Sequence, residues 1–205
     1  MKRICLFILV VFLSFSLQAQ LKVMEKGKDA LLVTNQGDSL WGKAELDLEN
    51  KVVQIRGEQG FRVIDLPKVE TLRLYDSETH AISSYRRYYL ENGKSELLEQ
   101  VVIGSIHFLR KAELQTYQTY TGTTMLNQSN EVTENQYFMW SKGELTKVKN
   151  FKKQLNQILT NKESELIEVY RKSGNLKYYK DYDQALLVDY VNVIRESPVL
   201  TYSRK

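Results

Sequence analysis

The residues that could act as a nucleophile and a base are few and badly spaced. The sequence contains two histidines, His80 and His107, and Ser105 lies two residues before the second. On a strand, residues two apart point to the same face with Cβ atoms roughly 6.5 to 7 Å apart. A serine and its base need heavy atoms about 2.6 to 3.2 Å apart. No G-x-S-x-G element is present to place a serine on a sharp turn. The pattern therefore predicts no serine catalysis and makes His107 an ordinary sheet residue.

Metal and nucleotide chemistry also lack their motifs. Zinc sites gather His, Cys or carboxylate ligands, yet the only cysteine is Cys5 and no HExxH motif occurs. Gly27-Lys28 lacks the preceding glycine of a phosphate-binding loop. We predict no catalytic residue, no metal ligand and no cofactor from these motifs.

Carboxylates occur in groups that could serve acid and base chemistry. The groups are Glu165 with Glu168, Asp181 with Asp183, and Glu45 with Asp47 and Glu49. Charged side chains are mostly exposed, and acids at a helix start are favoured by the helix dipole alone. The groups are therefore interpreted as solvated surface. A glycosidase sets two carboxylates across a sugar, and because spacing in sequence does not reveal such a pair, a hydrolase stays an alternative.

Tyrosine and arginine form the most suggestive cluster. It consists of Tyr85, Arg86, Arg87, Tyr88 and Tyr89. Binding hot spots are enriched in both residue types, whereas tyrosine is also a preferred strand residue. These five residues are the predicted binding site, with packing and strand propensity as the competing interpretation.

The elements that must position these residues change type along the chain. Apolar residues alternate with a period of two from about residue 30 to residue 140, which predicts strands. Residues 121–135, rich in Thr, Asn and Ser, are predicted to form a long exposed loop. After Val148 the period becomes helical. Thr160 with Glu163, and Asp181 with Gln184, have the spacing of capping boxes.

Strands first and helices last favour an α+β fold over alternating βαβ units. We predict an antiparallel β-rich body over residues 20–148, built as a meander, a curled sheet or a partial barrel. A short helical C-terminal segment over residues 149–197 is expected to pack on this body. Gly174 is expected to end a helix in the left-handed conformation.

The first 19 residues have the order of a secretory signal. Lys2 and Arg3 precede an apolar run over residues 4–13, and Ala19 suits the position before a cut. An uncleaved anchor, which needs roughly 20 apolar residues, is the alternative. Cleavage after Ala19 would leave a cysteine-free mature chain without a transmembrane span. The expected location is the periplasm, the outer membrane or the exterior of the cell.

Charge excludes one class of partner. The chain has 29 basic and 25 acidic residues, and loss of the two basic residues of the signal leaves 27 basic residues. A charge so close to balance gives no electrostatic basis for nucleic-acid binding.

Three short segments resemble a group of exported proteins. They are GDSLWGK at residues 37–43, LEQVVIGSIHFLR at residues 98–110, and Tyr137-Phe138 leading to GEL at residues 143–145. The chain is similar in these segments, and at its Ala19-Gln20 junction, to uncharacterised exported proteins of Bacteroidetes-type bacteria. The resemblance implies export and a strand-then-helix layout, and it implies no activity.

The sequence as a whole predicts an exported cell-envelope protein that serves binding or assembly without catalysis. Its expected partner is another envelope protein. The alternatives are an envelope sugar or lipid hydrolase that uses paired carboxylates, and a carrier that encloses a small ligand.

Overall fold

The computed structural model describes residues 27–90, 93–119 and 128–197. The predicted signal over residues 1–19 lies outside the described residues. The strands are β1 (Lys28–Thr34), β2 (Ser39–Asp47), β3 (Val52–Gly57), β4 (Gly60–Asp65), β5 (Val69–Tyr75), β6 (Ile82–Tyr89), β7 (Ser95–Val102), β8 (Ile106–Thr119), β9 (Gln128–Ser141) and β10 (Glu144–Lys147). The helices are α1 (Phe151–Ile158), α2 (Asn161–Ser173) and α3 (Asp181–Glu196).

The strands form an open antiparallel sheet in the order β10-β9-β8-β7-β6-β5-β1-β2-β3-β4, and the helices follow the last strand. The predicted α+β class with a β-rich body is confirmed. One connection departs from a simple meander, because β5 returns to pair with β1 rather than with β4. A single 3-10 turn, Leu66–Lys68, begins this return.

The chain divides into two compact units, and the boundary between them follows Arg87. In the first unit β1, β3 and β5 bury alternate side chains, as expected where one face of a sheet is covered. The buried residues are Ala30, Leu32, Ala44, Val53, Ile55, Val69, Leu72 and Leu74. The residues between them in β1, β2 and β5 therefore point to the opposite face.

Two glycines allow β2 and β3 to approach closely. A Cβ atom on Gly42 would lie 2.0 Å from the carbonyl oxygen of Arg56, and one on Gly57 would lie 2.2 Å from that of Trp41. Both neighbours are backbone atoms, so no side-chain movement could relieve the overlap. Gly37, the other glycine of the GDSLWGK segment, turns the chain between β1 and β2 at φ 91°.

The second unit contains a long hairpin that the sequence did not predict. β8 and β9 pair without interruption from Ile106 opposite Ser141 to Thr119 opposite Gln128. The prediction of a loop over residues 121–135 is therefore wrong from residue 128 onward, and residues 121–127 lie outside the described part. The polar residues from 128 to 135 form a strand because each of them lies opposite a residue of β8, with which the backbone pairs.

The N- and C-terminal ends of the helices agree in part with those predicted from the sequence. Thr160 and Glu163 form the predicted capping box at the start of α2. The predicted box at α3 is wrong, because Lys180 is the N-cap and Gln184 donates to the carbonyl of Tyr178 instead. α2 ends at Gly174 as expected, but Asn175, at φ 52°, adopts the left-handed conformation.

The helices pack on one face of the second unit's strands. Ile106, Phe108 and Met139 of the sheet share a core with apolar residues of all three helices. The helical members of this core are Phe151, Leu155, Ile167, Leu187, Val188 and Val191. A separate cluster forms from Tyr88, Leu98, Leu109, Phe138 and Leu145. Leu109 comes directly after Phe108 in β8, and Phe138 comes directly before Met139 in β9. Adjacent residues of a strand point to opposite faces, so this cluster lies on the other face of the sheet.

One buried side chain joins α3 to the start of β8. Asn192 accepts a hydrogen bond from the N–H of Ile106 at 2.9 Å and donates one to its carbonyl oxygen at 2.9 Å. The side chain thus replaces a neighbouring strand at this residue. Gly104 makes room for it, since a Cβ there would lie 2.4 Å from Cγ of Asn192.

Arg195, one turn further along α3, secures the same junction. It donates to Glu163 at 2.8 Å, to the carbonyl of Ile158 at 2.9 Å and to Oγ of Ser105 at 3.2 Å. The hydrogen bond from this guanidinium lowers the pKa of the Glu163 carboxyl. One arginine therefore links the end of α1, the start of α2 and the turn before β8.

We expect Asn192→Ala to destabilise the protein by about 2 to 4 kcal/mol, because it leaves the buried N–H and carbonyl of Ile106 without partners. Urea unfolding followed by far-UV circular dichroism measures the change. Asn156→Ala, the same substitution at an exposed position of α1, is the matched control and should change stability by less than about 0.5 kcal/mol. Equal stabilities of the two variants would contradict this role of Asn192.

Candidate binding site

The five residues predicted from the Tyr/Arg cluster do not form one surface. They all lie on β6, where successive side chains point to opposite faces. Arg86 and Tyr89 are exposed, Tyr85 is half-buried, and Arg87 and Tyr88 are each only 7% exposed. Binding by this cluster stays a prediction, and the solvent-facing members are Arg86 and Tyr89.

Arg87 has a structural role in the first unit. Its Nε donates to the carbonyl of Val69 at 2.8 Å, and its Nη2 donates to the carbonyl of Leu66. These carbonyls flank the 3-10 turn through which the chain returns to pair with β1. A buried charge is stable only when it is hydrogen-bonded, and Arg87 satisfies this condition while it fixes the turn.

Tyr88 belongs to a polar and aromatic cluster in the second unit. Its hydroxyl accepts a hydrogen bond from Nε2 of Gln100 at 2.9 Å and lies 2.8 Å from Nδ1 of His107. The His107 ring packs on Trp140 with centroids 4.5 Å apart. Ser105 is engaged elsewhere, with Asn192 and Arg195. The structure therefore assigns His107 and Ser105 to separate networks.

Some of the carboxylates singled out in the sequence have local partners. Asp47 closes a turn by accepting from the side-chain amide and then the N–H of Asn50, and these hydrogen bonds lower the pKa of its carboxyl. Glu168 binds Arg171 and the hydroxyl of Tyr178. Asp183 accepts from the N–H of Lys177 at 2.8 Å. Within the described residues, no group of three or more His, Cys, Asp and Glu side chains could hold a metal ion.

A polar cleft of about 670 Å³ opens in the second unit. One wall is the segment from Glu134 to Tyr137 in β9, and the other is the α2–α3 connection with the start of α3. The segment from Lys147 to Lys152, which runs from the end of β10 into α1, forms the edge of the cleft. Amides, tyrosines and lysines line it, namely Asn135, Gln136, Asn150, Tyr137, Tyr178, Tyr179, Lys147, Lys149 and Lys152.

The cleft's edge at residues 147–150 is fixed by one amide. Gln154 accepts from the N–H groups of Lys149 and Asn150 and donates to the carbonyl of Lys147. Asn150 in turn caps α1 by accepting from the N–H of Lys153. The opposite wall is held by Gln184, whose buried amide donates to the carbonyl of Tyr178 at 2.7 Å. The edge at residues 147–150 and the wall at Tyr178 therefore have backbones fixed by hydrogen bonds within the protein.

Tyr178 lines the cleft with both its hydroxyl and its ring in contact with other side chains. Its hydroxyl donates to Glu168 at 2.6 Å, and Nζ of Lys152 lies 5.2 Å from its ring centroid. Burial, and then the hydrogen bond to Glu168, raise the pKa of Tyr178 to about 12. Burial and a hydrogen bond to Asp181 likewise raise the pKa of Tyr137. Both phenols are thus neutral donors at physiological pH.

Three lining side chains remain available to a ligand. Asn135, Lys149 and Tyr179 make no side-chain hydrogen bond or ion pair with other described residues. Tyr179 is 76% exposed. Tyr182, three residues further along the chain, is 74% exposed.

We expect Tyr178→Phe to lower stability by about 1.5 to 3 kcal/mol near neutral pH, because a hydrogen bond to a charged carboxylate is lost. The folded pKa of Tyr178 is raised, so its contribution is complete below the unfolded pKa of about 10 and is lost as pH rises towards 12. The stability difference between wild type and Tyr178→Phe should therefore shrink across pH 10 to 12. Urea unfolding at stepped pH tests this, with Tyr179→Phe as a control that should show no such trend. A constant difference would refute the assignment.

No helix within residues 27–90, 93–119 and 128–197 is long and apolar enough to cross a membrane. No protein-family model, no curated protein and no solved structure matches this chain.

Proposed function

We propose that this chain is an exported protein of the bacterial cell envelope that binds a short oligosaccharide in the cleft of its second unit. The main support is that three side chains lining the cleft have no partner among the described residues: the amide of Asn135, the ammonium of Lys149 and the ring of Tyr179. The backbone around them is fixed by the hydrogen bonds of Gln154 and Gln184. Export is inferred from the signal-like residues 1–19.

The chemistry of the cleft supports a sugar ligand. An amide donates and accepts at once, which matches hydroxyl groups that do the same. Tyrosine offers a rigid apolar ring with a polar end. Carriers of apolar ligands use concave, mostly hydrophobic pockets, whereas this cleft is open and polar. The small-ligand carrier therefore gains no support from it.

A hydrolase is the second candidate because two carboxylates, Glu134 and Asp181, line the same cleft. A glycosidase needs an acid and a second carboxylate on either side of a bound sugar. Release of reducing ends from envelope polysaccharides by the wild type, and its loss in Asp181→Asn, would favour this candidate over binding alone.

Saturation-transfer NMR with oligosaccharides from bacterial peptidoglycan and envelope polysaccharides tests the binding proposal. We expect transfer to at least one sugar, and Tyr179→Ala should weaken its affinity about fivefold to tenfold.

Tyr182→Ala is the matched control, because Tyr182 is equally exposed and close in sequence but does not line the cleft. Its affinity should equal that of the wild type. Absence of transfer to any of these sugars, or equal losses in both variants, would reject the cleft as a sugar site.

A further inference from the structure

The first unit presents a sheet surface whose composition is unusual for a solvated face. We call it the outer face and define it by Trp41, Arg56, Arg73, Tyr75, Ile82 and Arg86. Strand alternation places these residues opposite the buried face of the same strands. Trp41 is 69% exposed, Ile82 68% and Tyr75 38%. Large side chains of this kind are seldom left in water together without a partner.

Strand register brings these residues together in neighbouring rows. Leu31 lies between Trp41 on β2 and Arg73 on β5. In the next row, Asp29 lies between Lys43 and Tyr75, which itself lies opposite Ile82. Two residues away in the other direction, Thr71 lies opposite Arg86. Residues two apart on a strand are about 6.7 Å from one another, so the rows form one continuous patch.

Within these three rows the side-chain charge is positive. The side chains of Arg56, Arg73 and Arg86 make no hydrogen bond or ion pair with any other described residue. The one acid among these rows, Asp29, is neutralised by Lys43 at 2.9 Å. Three guanidinium groups are therefore free to bind carboxylates in the bidentate geometry that arginine favours.

We propose that the outer face binds an acidic polysaccharide. Trp41 and Tyr75 stack on sugar rings, while Arg56, Arg73 and Arg86 bind carboxylates of successive residues along the chain. Both kinds of contact recur across neighbouring strands, as an extended polymer requires. This surface lies in the first unit and uses none of the residues of the cleft.

The size of the surface favours a polymer over a folded protein. Five strands and three rows cover about 15 by 20 Å, on the order of 300 Å². A stable protein interface buries about 800 Å² on each partner. An extended polysaccharide chain needs only a strip of such a surface, and its repeated charges can engage several arginines at once.

The distribution of charge favours a polysaccharide over a membrane. A membrane-surface element separates its apolar side chains from its charges, so that only the apolar ones enter the lipid. On the outer face Arg73, and the Lys43–Asp29 pair, lie in the same rows as Trp41 and Tyr75. Insertion of the aromatic rings would therefore bury charges, including an acid.

Affinity electrophoresis of the purified protein through gels containing polygalacturonate or alginate tests the proposal, with neutral dextran as the control polymer. We expect retardation by at least one carboxylated polymer and none by dextran. Retardation should weaken as salt rises, because exposed charges are screened. Arg73→Gln and Trp41→Ala should each weaken binding about fivefold or more.

Arg62→Gln is the matched charge control. Arg62 is also exposed, but it lies opposite the buried Ile55 and so does not point to the outer face. It should bind as the wild type does, as should the cleft variant Tyr179→Ala. Should Arg73→Gln lower the unfolding temperature, Arg86→Gln takes its place, since Arg86 is an exposed residue at the end of a row.

Three results would overturn the proposal. The first is no retardation by either carboxylated polysaccharide. The second is retardation that Arg73→Gln, Arg86→Gln and Trp41→Ala leave unchanged. The third is stronger binding to polyglutamate or to phosphatidylglycerol vesicles, which would assign the surface to an acidic protein or to a membrane. These tests do not depend on the cleft proposal, because Arg73→Gln, Arg86→Gln and Trp41→Ala alter no residue of the cleft.

Discussion

The second unit depends on how Asn192 binds the backbone of Ile106. A strand that ends under a helix leaves an N–H and a carbonyl that water does not reach, and each would cost about 1 to 3 kcal/mol if unpaired. Asn192 satisfies both with one side chain. The position of α3 on β8 is therefore set by hydrogen-bond geometry as well as by apolar contact. This explains why Gly104, with no Cβ, precedes the strand.

Because α3 is fixed in this way, its first turn has a fixed position too. That turn carries Asp181 and Gln184, which line the cleft. Gln184 holds the backbone of Tyr178, and Gln154 holds the edge at residues 147–150. The cleft is thus formed by helix packing and by the side-chain amides of Gln184, which is buried, and Gln154, which is partly buried. A site built on such supports keeps its shape before a ligand arrives, which lowers the entropic cost of binding.

The first unit uses a different constraint. Its sheet buries the central part of one face, with Leu32, Val53 and Leu72 inaccessible to solvent. Alternation then fixes the opposite set of residues on the other side. Gly42 and Gly57 bring β2 and β3 close together next to Trp41. Strand geometry alone therefore aligns Trp41 with Arg73 across Leu31, although the two residues are far apart in sequence.

Much of the fold followed from local patterns in the sequence. Period-two alternation predicted strands and the helical period predicted the C-terminal helices, because both patterns reflect which face is buried. The capping box of Thr160 and Glu163 was predictable because it involves residues three apart. The strand over residues 128–135 was not, since its residues are held by backbone pairing with β8. Local propensity does not record such a partner.

The sequence by itself determined the order of the elements, the near balance of charge and the lack of motifs for metal, nucleotide or serine chemistry. The tertiary structure decided which polar side chains are used internally and which remain free. Arg87 and Tyr88 were predicted to be binding residues but are buried and hydrogen-bonded, whereas Tyr179 was not singled out as one and is exposed. The reason is that burial depends on the neighbours a residue meets after folding. For Asn135, Lys149 and Tyr179, those neighbours come from segments that only packing brings together.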